Sequence, residues 1–388
     1  MKKTISGFVF ATLLVPSLLT TTINNVHATS YAENSKTVLS THVTGNMQAE
    51  NSINLTKGLS DTKFPQNNKR DIVDEIYKNM IANVVYNLAF DRNTEWPVNP
   101  VEPNGPYAEE FKEAGKWFTT IPKETIKMPF TDNDNTVKQL NAYYVKNPSN
   151  SNKTIIIAHG YRMNALQMGG WAKTYYDMGY NILLPDARAH GLSEGQSISF
   201  GWKEKADYKN WANKLVEMNP DVQIAITGVS MGGATTMMSS GEAMPDNVKA
   251  YIEDCGYDSV YGQFDSLKAT AQDQINKYME EHYNWTASDE DMNDIFQKVD
   301  KKLVKNQGFS LEEASSITQL HNNKKPMLFI HGAADKFVPT DMVYKNYDAT
   351  QGLKNLWVVD GAGHGLSIVQ DLPGYQQHVQ SFLNEYIK

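Results

Sequence analysis

The 388-residue sequence has one cysteine, Cys255, so no intramolecular disulfide can staple the fold and no cysteine cluster is present to hold a structural zinc. Stability has to come from packing. Basic residues are also in short supply: 36 Lys and Arg stand against 44 Asp and Glu, a net charge of −8, with no Lys/Arg-rich run. Such a chain has no electrostatic grip on a phosphate backbone, and nucleic acid is not an expected partner. Long apolar runs are missing. The stretch from Phe8 to Leu19 is about a dozen residues, broken by Pro16 and Ser17, short of the roughly 20 that span a bilayer. No repeat of fixed period occurs, which argues against a solenoid or propeller. What is there, 40% hydrophobic and 21% charged residues, can bury the core of one large domain or two ordinary ones.

The amino terminus reads as a processing segment. Lys2 and Lys3 precede the apolar stretch, and Val26-His27-Ala28 follows it with small residues at the two positions a signal peptidase reads. The expectation is a signal peptide over residues 1–28 and a secreted, extracellular protein. No cysteine just after that region could carry a lipid, and the carboxyl end is not an apolar tail, so no stable membrane anchor is expected. Residues 29–69, rich in Ser, Thr, Asn and Lys without a sustained apolar period, are expected as a flexible leader.

The pattern changes at the start of a domain expected over residues 70–388. Ile72, Ile76, Met80, Val84 and Leu88 recur every four residues beside Val73, Tyr77, Ile81 and Val85, which predicts an amphipathic helix. Two strand-like runs, Glu124 to Phe130 and Val137 to Val145, flank the turn-forming Asp132-Asn133-Asp134-Asn135 and predict a hairpin. Short apolar runs then alternate with helical stretches: Thr154 to Ala158, Asn181 to Pro185, Val222 to Thr227, Val248 to Glu253, Met327 to Ile330 and Asn355 to Val359. Parallel neighbours need crossover helices, so this alternation predicts an α/β fold, a mostly parallel sheet with helices on both faces. About seventy residues between Glu253 and Met327 are too many for a plain crossover, and residues 257–320 are expected as an inserted helical cap.

Gly228-Val229-Ser230-Met231-Gly232 follows one predicted strand and opens a helix. A strand that turns sharply into a helix strains its turning residue, and flanking glycines make room for the bend, leaving the Ser230 hydroxyl exposed as a nucleophile. Serine needs a base, and the base needs an orienting group. His364, in the loop Gly361-Ala362-Gly363-His364-Gly365 after the last strand, is the candidate base. Asp335, in the loop opened by Gly332-Ala333-Ala334, is the favoured acid; Glu253 and Asp254, at the end of the strand before the cap, compete for that role. Backbone N–H groups of Tyr161, after Ala158-His159-Gly160, and of Met231 are placed to form an oxyanion hole.

With these blocks in chain order, together with Asp186-Ala187-Arg188-Ala189-His190-Gly191 and His331-Gly332, residues 105–388 resemble the α/β-hydrolase superfamily in its secreted bacterial branch. The resemblance implies a Ser-His-Asp triad, an oxyanion hole after the first parallel strand, and no cofactor or metal. It also implies a structural, ion-paired role for the Asp186–His190 loop. The superfamily hosts esterases, lipases, thioesterases and peptidases alike. The expected activity is a serine carboxylesterase acting on a small-molecule ester or peptide substrate. A serine peptidase with the same triad and a non-catalytic extracellular binding protein on the same scaffold remain alternatives.

Overall fold

The computed structural model of the protein describes residues 66–94, 103–149 and 151–388. The expected signal peptide, and the expected leader up to residue 65, lie outside the described residues. The first helix, α1 (Gln66–Phe90), begins four residues inside the segment expected as leader. After it come α2 (Ala108–Thr120), β1 (Glu124–Thr131), β2 (Val137–Val145) and β3 (Lys153–Ala158). A short 3₁₀ turn (Ala165–Met168) leads into α3 (Gly169–Asp177), β4 (Asn181–Pro185), α4 (Glu204–Met218), β5 (Gln223–Val229), α5 (Met231–Ser240) and β6 (Val248–Asp254). Three helices follow, α6 (Val260–Tyr283), α7 (Asp289–Gln307) and α8 (Ser316–Leu320). The chain closes with β7 (Met327–Gly332), α9 (Asp341–Ala349), β8 (Lys354–Val359), α10 (Ser367–Gln370) and α11 (Leu372–Tyr386).

The eight strands form one sheet in the order β1-β2-β4-β3-β5-β6-β7-β8. β1 pairs antiparallel with β2, and β2 with β4; every later pairing is parallel. The antiparallel edge costs only the short turn at Asp132–Thr136, where Asn135 takes φ 60°. Parallel strands are buried on both faces, and their side chains alternate between two cores. Ile155 and Ile157 of β3 pack on one side with Phe118, Trp171, Tyr175 and Phe382, while Ile156 packs on the other with Tyr208, Trp211, Met237 and Phe329. This sheet unit comprises residues 90–93, 100–267 and 303–388.

Among the described residues a second compact unit is formed by residues 66–89, 94 and 268–302. The segment expected as a single cap over 257–320 is helical but divides, its middle belonging to this unit and its ends to the sheet unit. Within the second unit, α1 is tied to the middle of that segment by side chains about two hundred residues apart in sequence. The Trp285 indole N–H donates to Asp74 at 2.8 Å, Lys298 donates to Glu75 at 2.9 Å, Lys302 donates to Asn83 at 2.7 Å, and Lys78 pairs with Asp294 at 2.8 Å. Among the described residues no helix is long and apolar enough to cross a membrane.

Candidate active site

Ser230 occupies the turn between β5 and α5 with φ 58° and ψ −119°, a left-handed backbone that a side chain adopts only where the surroundings enforce it. Sterics enforce it from both sides. A Cβ on Gly228 would run into the Gly232 carbonyl, and a Cβ on Gly232 into the Ala158 carbonyl, so β5, the start of α5 and the end of β3 approach as closely as glycine permits. The Ser230 N–H donates to the Asp254 carbonyl at 2.8 Å, which fixes the turn to β6.

His364, in the loop between β8 and α10, lies with Nε2 2.8 Å from the Ser230 Oγ and Nδ1 2.8 Å from the Asp335 Oδ2. An ionised carboxylate only accepts hydrogen bonds, so Nδ1 carries the ring proton and Nε2 is the acceptor for the serine hydroxyl. Asp335 is itself pinned: its Oδ1 accepts the backbone N–H groups of Phe337 at 2.9 Å and Val338 at 3.0 Å. Burial pulls the Asp335 carboxyl upward, but His364 and His331 beside it outweigh that and hold it well below the ordinary carboxylate range. The Phe337 ring packs 4.9 Å from the imidazole of His364. Residues 105 and 134 positions apart from Ser230, Asp335 and His364, are thus brought into one hydrogen-bonded line.

The competing acids stand elsewhere in this network. Asp254, at the end of β6, is buried with both carboxylate oxygens outside hydrogen-bonding geometry, and burial pushes it up to about 6 against the pull of His331 and His364. Glu253 accepts the Gly256 N–H at 2.9 Å, and burial pushes it up to about 8. Neither takes the imidazole proton.

Met231 is the first residue of α5, and the leading N–H groups of a helix have no partner inside it. Gly160, at the turn after β3, lies beside Ser230: a Cβ there would sit 3.7 Å from the Ser230 Cβ. Tyr161 follows it, with its ring stacked on Phe200 at 5.0 Å. The same turn is held by two neutral histidines. His159 donates from Nδ1 to the Gly160 carbonyl at 2.8 Å and accepts the Ala187 N–H at Nε2, and His190 donates to the Arg188 carbonyl at 2.8 Å and accepts the Arg162 N–H. Burial keeps both below their ordinary pKa.

The Asp186–His190 loop is packed structure. Asp186 accepts the N–H groups of Ala165 and Leu192, and Arg188 grips Asp207 through two bonds of 2.5 and 2.8 Å. Two further residues stand beside Ser230, His364 and Asp335. His331 is fully buried, with Nε2 3.3 Å from Asp335 Oδ2, the same oxygen that meets His364, and donating to the Val338 carbonyl at 3.0 Å. Its His-Gly lead-in to Asp335 was the available signal. Cys255 is the other: its sulfur, an Asp335 carboxylate oxygen and a His364 ring nitrogen lie within 4.8 Å of one another, but His364 Nδ1 is already committed to Asp335 and burial raises the thiol well above its ordinary pKa.

A profile of the family described as "Serine aminopeptidase, S33" matches residues 149–254, which run from β3 to the end of β6. The chain is 29% identical over 253 residues to the uncharacterized protein YqkD of Bacillus subtilis (strain 168), covering 63% of this chain and 75% of that one. Among solved structures it is similar to the Pyrococcus furiosus esterase Pf2001, with 22% identity and a TM-score of 0.50 over 75% of this chain and all of that one. At that identity the likeness is one of fold.

Proposed function

We propose that this chain, whose fold is similar to that of α/β-hydrolases, is a serine hydrolase that cleaves carboxylic esters through an acyl-enzyme. One observation carries the reading: the 2.8 Å contacts that join Ser230 to His364 and His364 to Asp335, with Ser230 held at a positive φ. In this reading His364 takes the Ser230 proton as Oγ attacks the ester carbonyl, and the imidazolium that forms is stabilised by Asp335. The charge that develops on the carbonyl oxygen is met by the backbone N–H groups of Tyr161 and Met231. His364 then returns its proton to the leaving alcohol, and water, activated by the same imidazole, releases the acid. An active-site-directed fluorophosphonate tests the proposal. Stoichiometric labelling of Ser230, with hydrolysis of short neutral acyl esters, is the expected result; no labelling of folded protein would leave a binding protein on a hydrolase scaffold.

A peptidase using the same residues is the second reading, favoured by the description of the family whose profile covers residues 149–254. Aminoacyl amides assayed beside acyl esters separate the two. An extracellular site of action is proposed from Lys2, Lys3 and the Val26-His27-Ala28 segment. Recovery from culture medium of a chain beginning at Thr29 is the expected outcome.

A further inference from the structure

The second unit carries a cleft of about 740 Å³ that the chemistry above does not use, within the roughly 300–1,000 Å³ usual for small-molecule sites. Its walls are α1 and the chain from the last residue of α6 to the first turn of α7, and three aromatic rings stand among polar residues there. Tyr77 stands 5.5 Å from Tyr283 at an interplanar angle of 54° and 5.7 Å from Trp285 at 61°. In such a tilted or edge-to-face pair one ring presents its edge, so that ring's own two faces are not taken up by the contact. Tyr77 is buried, while Tyr283 and Trp285 are half-buried and reachable from solvent. The indole is not free to swing, because its N–H is tied to the Asp74 carboxylate at 2.8 Å.

Charge in and around the cleft is negative. Asp74 and Asp291 line it, and Glu75 and Asp294 lie in the adjoining ion-pair network. The lysines that face these acids are Lys78, 2.8 Å from Asp294 but 3.7 Å from Asp291, and Lys298, paired with Glu75 at 2.9 Å and Asp294 at 3.2 Å. Both lysines sit closest to Asp294 and Glu75; Asp291 meets Lys78 only at 3.7 Å and accepts the Ser288 N–H and O–H, and Asp74 accepts the Trp285 indole N–H, so four carboxylates face two lysines and the region keeps a net negative charge. An aromatic face attracts a cation through its quadrupole, most strongly when the cation is poorly hydrated, whereas sodium, magnesium or calcium seek a shell of oxygens. Rings together with carboxylates therefore select an organic cation.

We propose that this cleft binds an alkylated ammonium group, of the trimethylammonium type, through the faces of Tyr77, Tyr283 and Trp285 with Asp74 and Asp291 as counter-charges. The group can arrive on a soluble molecule or as a choline headgroup at a lipid surface. The site is independent of the triad, and occupancy is readable without turnover.

Calorimetric titration of the full chain with tetramethylammonium chloride, against sodium chloride at matched ionic strength, is the test. Saturable binding in the millimolar range is expected for tetramethylammonium and none for sodium. Tyr283→Leu and Trp285→Leu should each weaken it about tenfold, and Asp74→Asn less, with fluorophosphonate labelling of Ser230 unchanged. If Trp285→Leu loses its near-UV circular dichroism, Tyr283→Leu, which leaves the indole tie intact, carries the test. Sedimentation with phosphatidylcholine vesicles that Tyr283→Leu abolishes would assign the headgroup as source; tetramethylammonium binding without vesicle binding would assign a soluble ligand. Absence of saturable tetramethylammonium binding, or equal affinity in wild type and Tyr283→Leu, would overturn the proposal.

Discussion

A histidine is a base for serine only in one tautomer, and Asp335 enforces it by accepting from Nδ1. Loss of the hydroxyl by Ser230→Ala should lower ester turnover on the order of 10⁶-fold and abolish fluorophosphonate labelling, while the melting temperature stays near wild type. Asp335→Asn can accept at Nδ1 or donate to it, so the imidazole is no longer locked. A fall in kcat of about 10⁴-fold is expected, against a far smaller effect of Asp254→Asn, with both variants compared at equal thermal stability. Ser230 and His364 were legible because glycine punctuates both loops and the chain order is distinctive. The choice of acid was legible only as a preference: Asp254 also ends a strand, and what separates the two is that Asp335, not Asp254, meets His364 Nδ1 at 2.8 Å. His331 could not be assigned from sequence, since its contact with Asp335 is a matter of how the loop after β7 closes on itself.

The strand-to-helix elbow depends on the absence of side chains at two points. Gly228→Ala, whose methyl would meet the Gly232 carbonyl, should destabilise by about 3 kcal/mol in urea unfolding and displace Ser230 enough to lose labelling. β6 adds a pH dependence. Folded Glu253 keeps its proton up to about 8, whereas an unfolded glutamate releases it near its ordinary value of 4.5. As pH rises through that window the unfolded chain gives up a proton the folded chain retains, so this residue draws the equilibrium toward unfolding. Asp254 and Asp207, each pushed up to about 6, act in the same direction at the lower end. The neutral His159 and His190 act oppositely, so wild type alone does not isolate the effect of Glu253. The melting temperature of Glu253→Gln minus that of wild type should grow steadily from pH 5 to pH 8. The parallel strands were legible as short apolar runs because burial on both faces leaves no polar positions. α2 was passed over beneath the Pro-rich stretch before it, although Phe111 and Phe118, seven residues apart, put two aromatic rings on its inward side.

At the scale of the molecule the net charge of −8 sets a long-range field that salt screens. Acids outnumber lysines by about two to one in residues 257–320. Hydrolysis of short neutral esters should be indifferent to ionic strength, whereas anionic phospholipid vesicles should be attacked slowly at low salt, with the gap narrowing as salt is added; equal rates at low salt would refute this. The division of the inserted segment into parts of two units was not legible, because amphipathic helices advertise a buried face without naming what buries it. Nothing in the period of α1 says that its partners lie two hundred residues downstream. That separation has a cost in time. At about 5–20 residues per second, α1 leaves the ribosome roughly 10–40 s before Trp285 and Lys298 are made. Throughout that interval Tyr77 has no ring to pack on and Asp74 no indole to hold, and a nascent chain halted before residue 268 presents this helix to whatever protease or chaperone reaches it first.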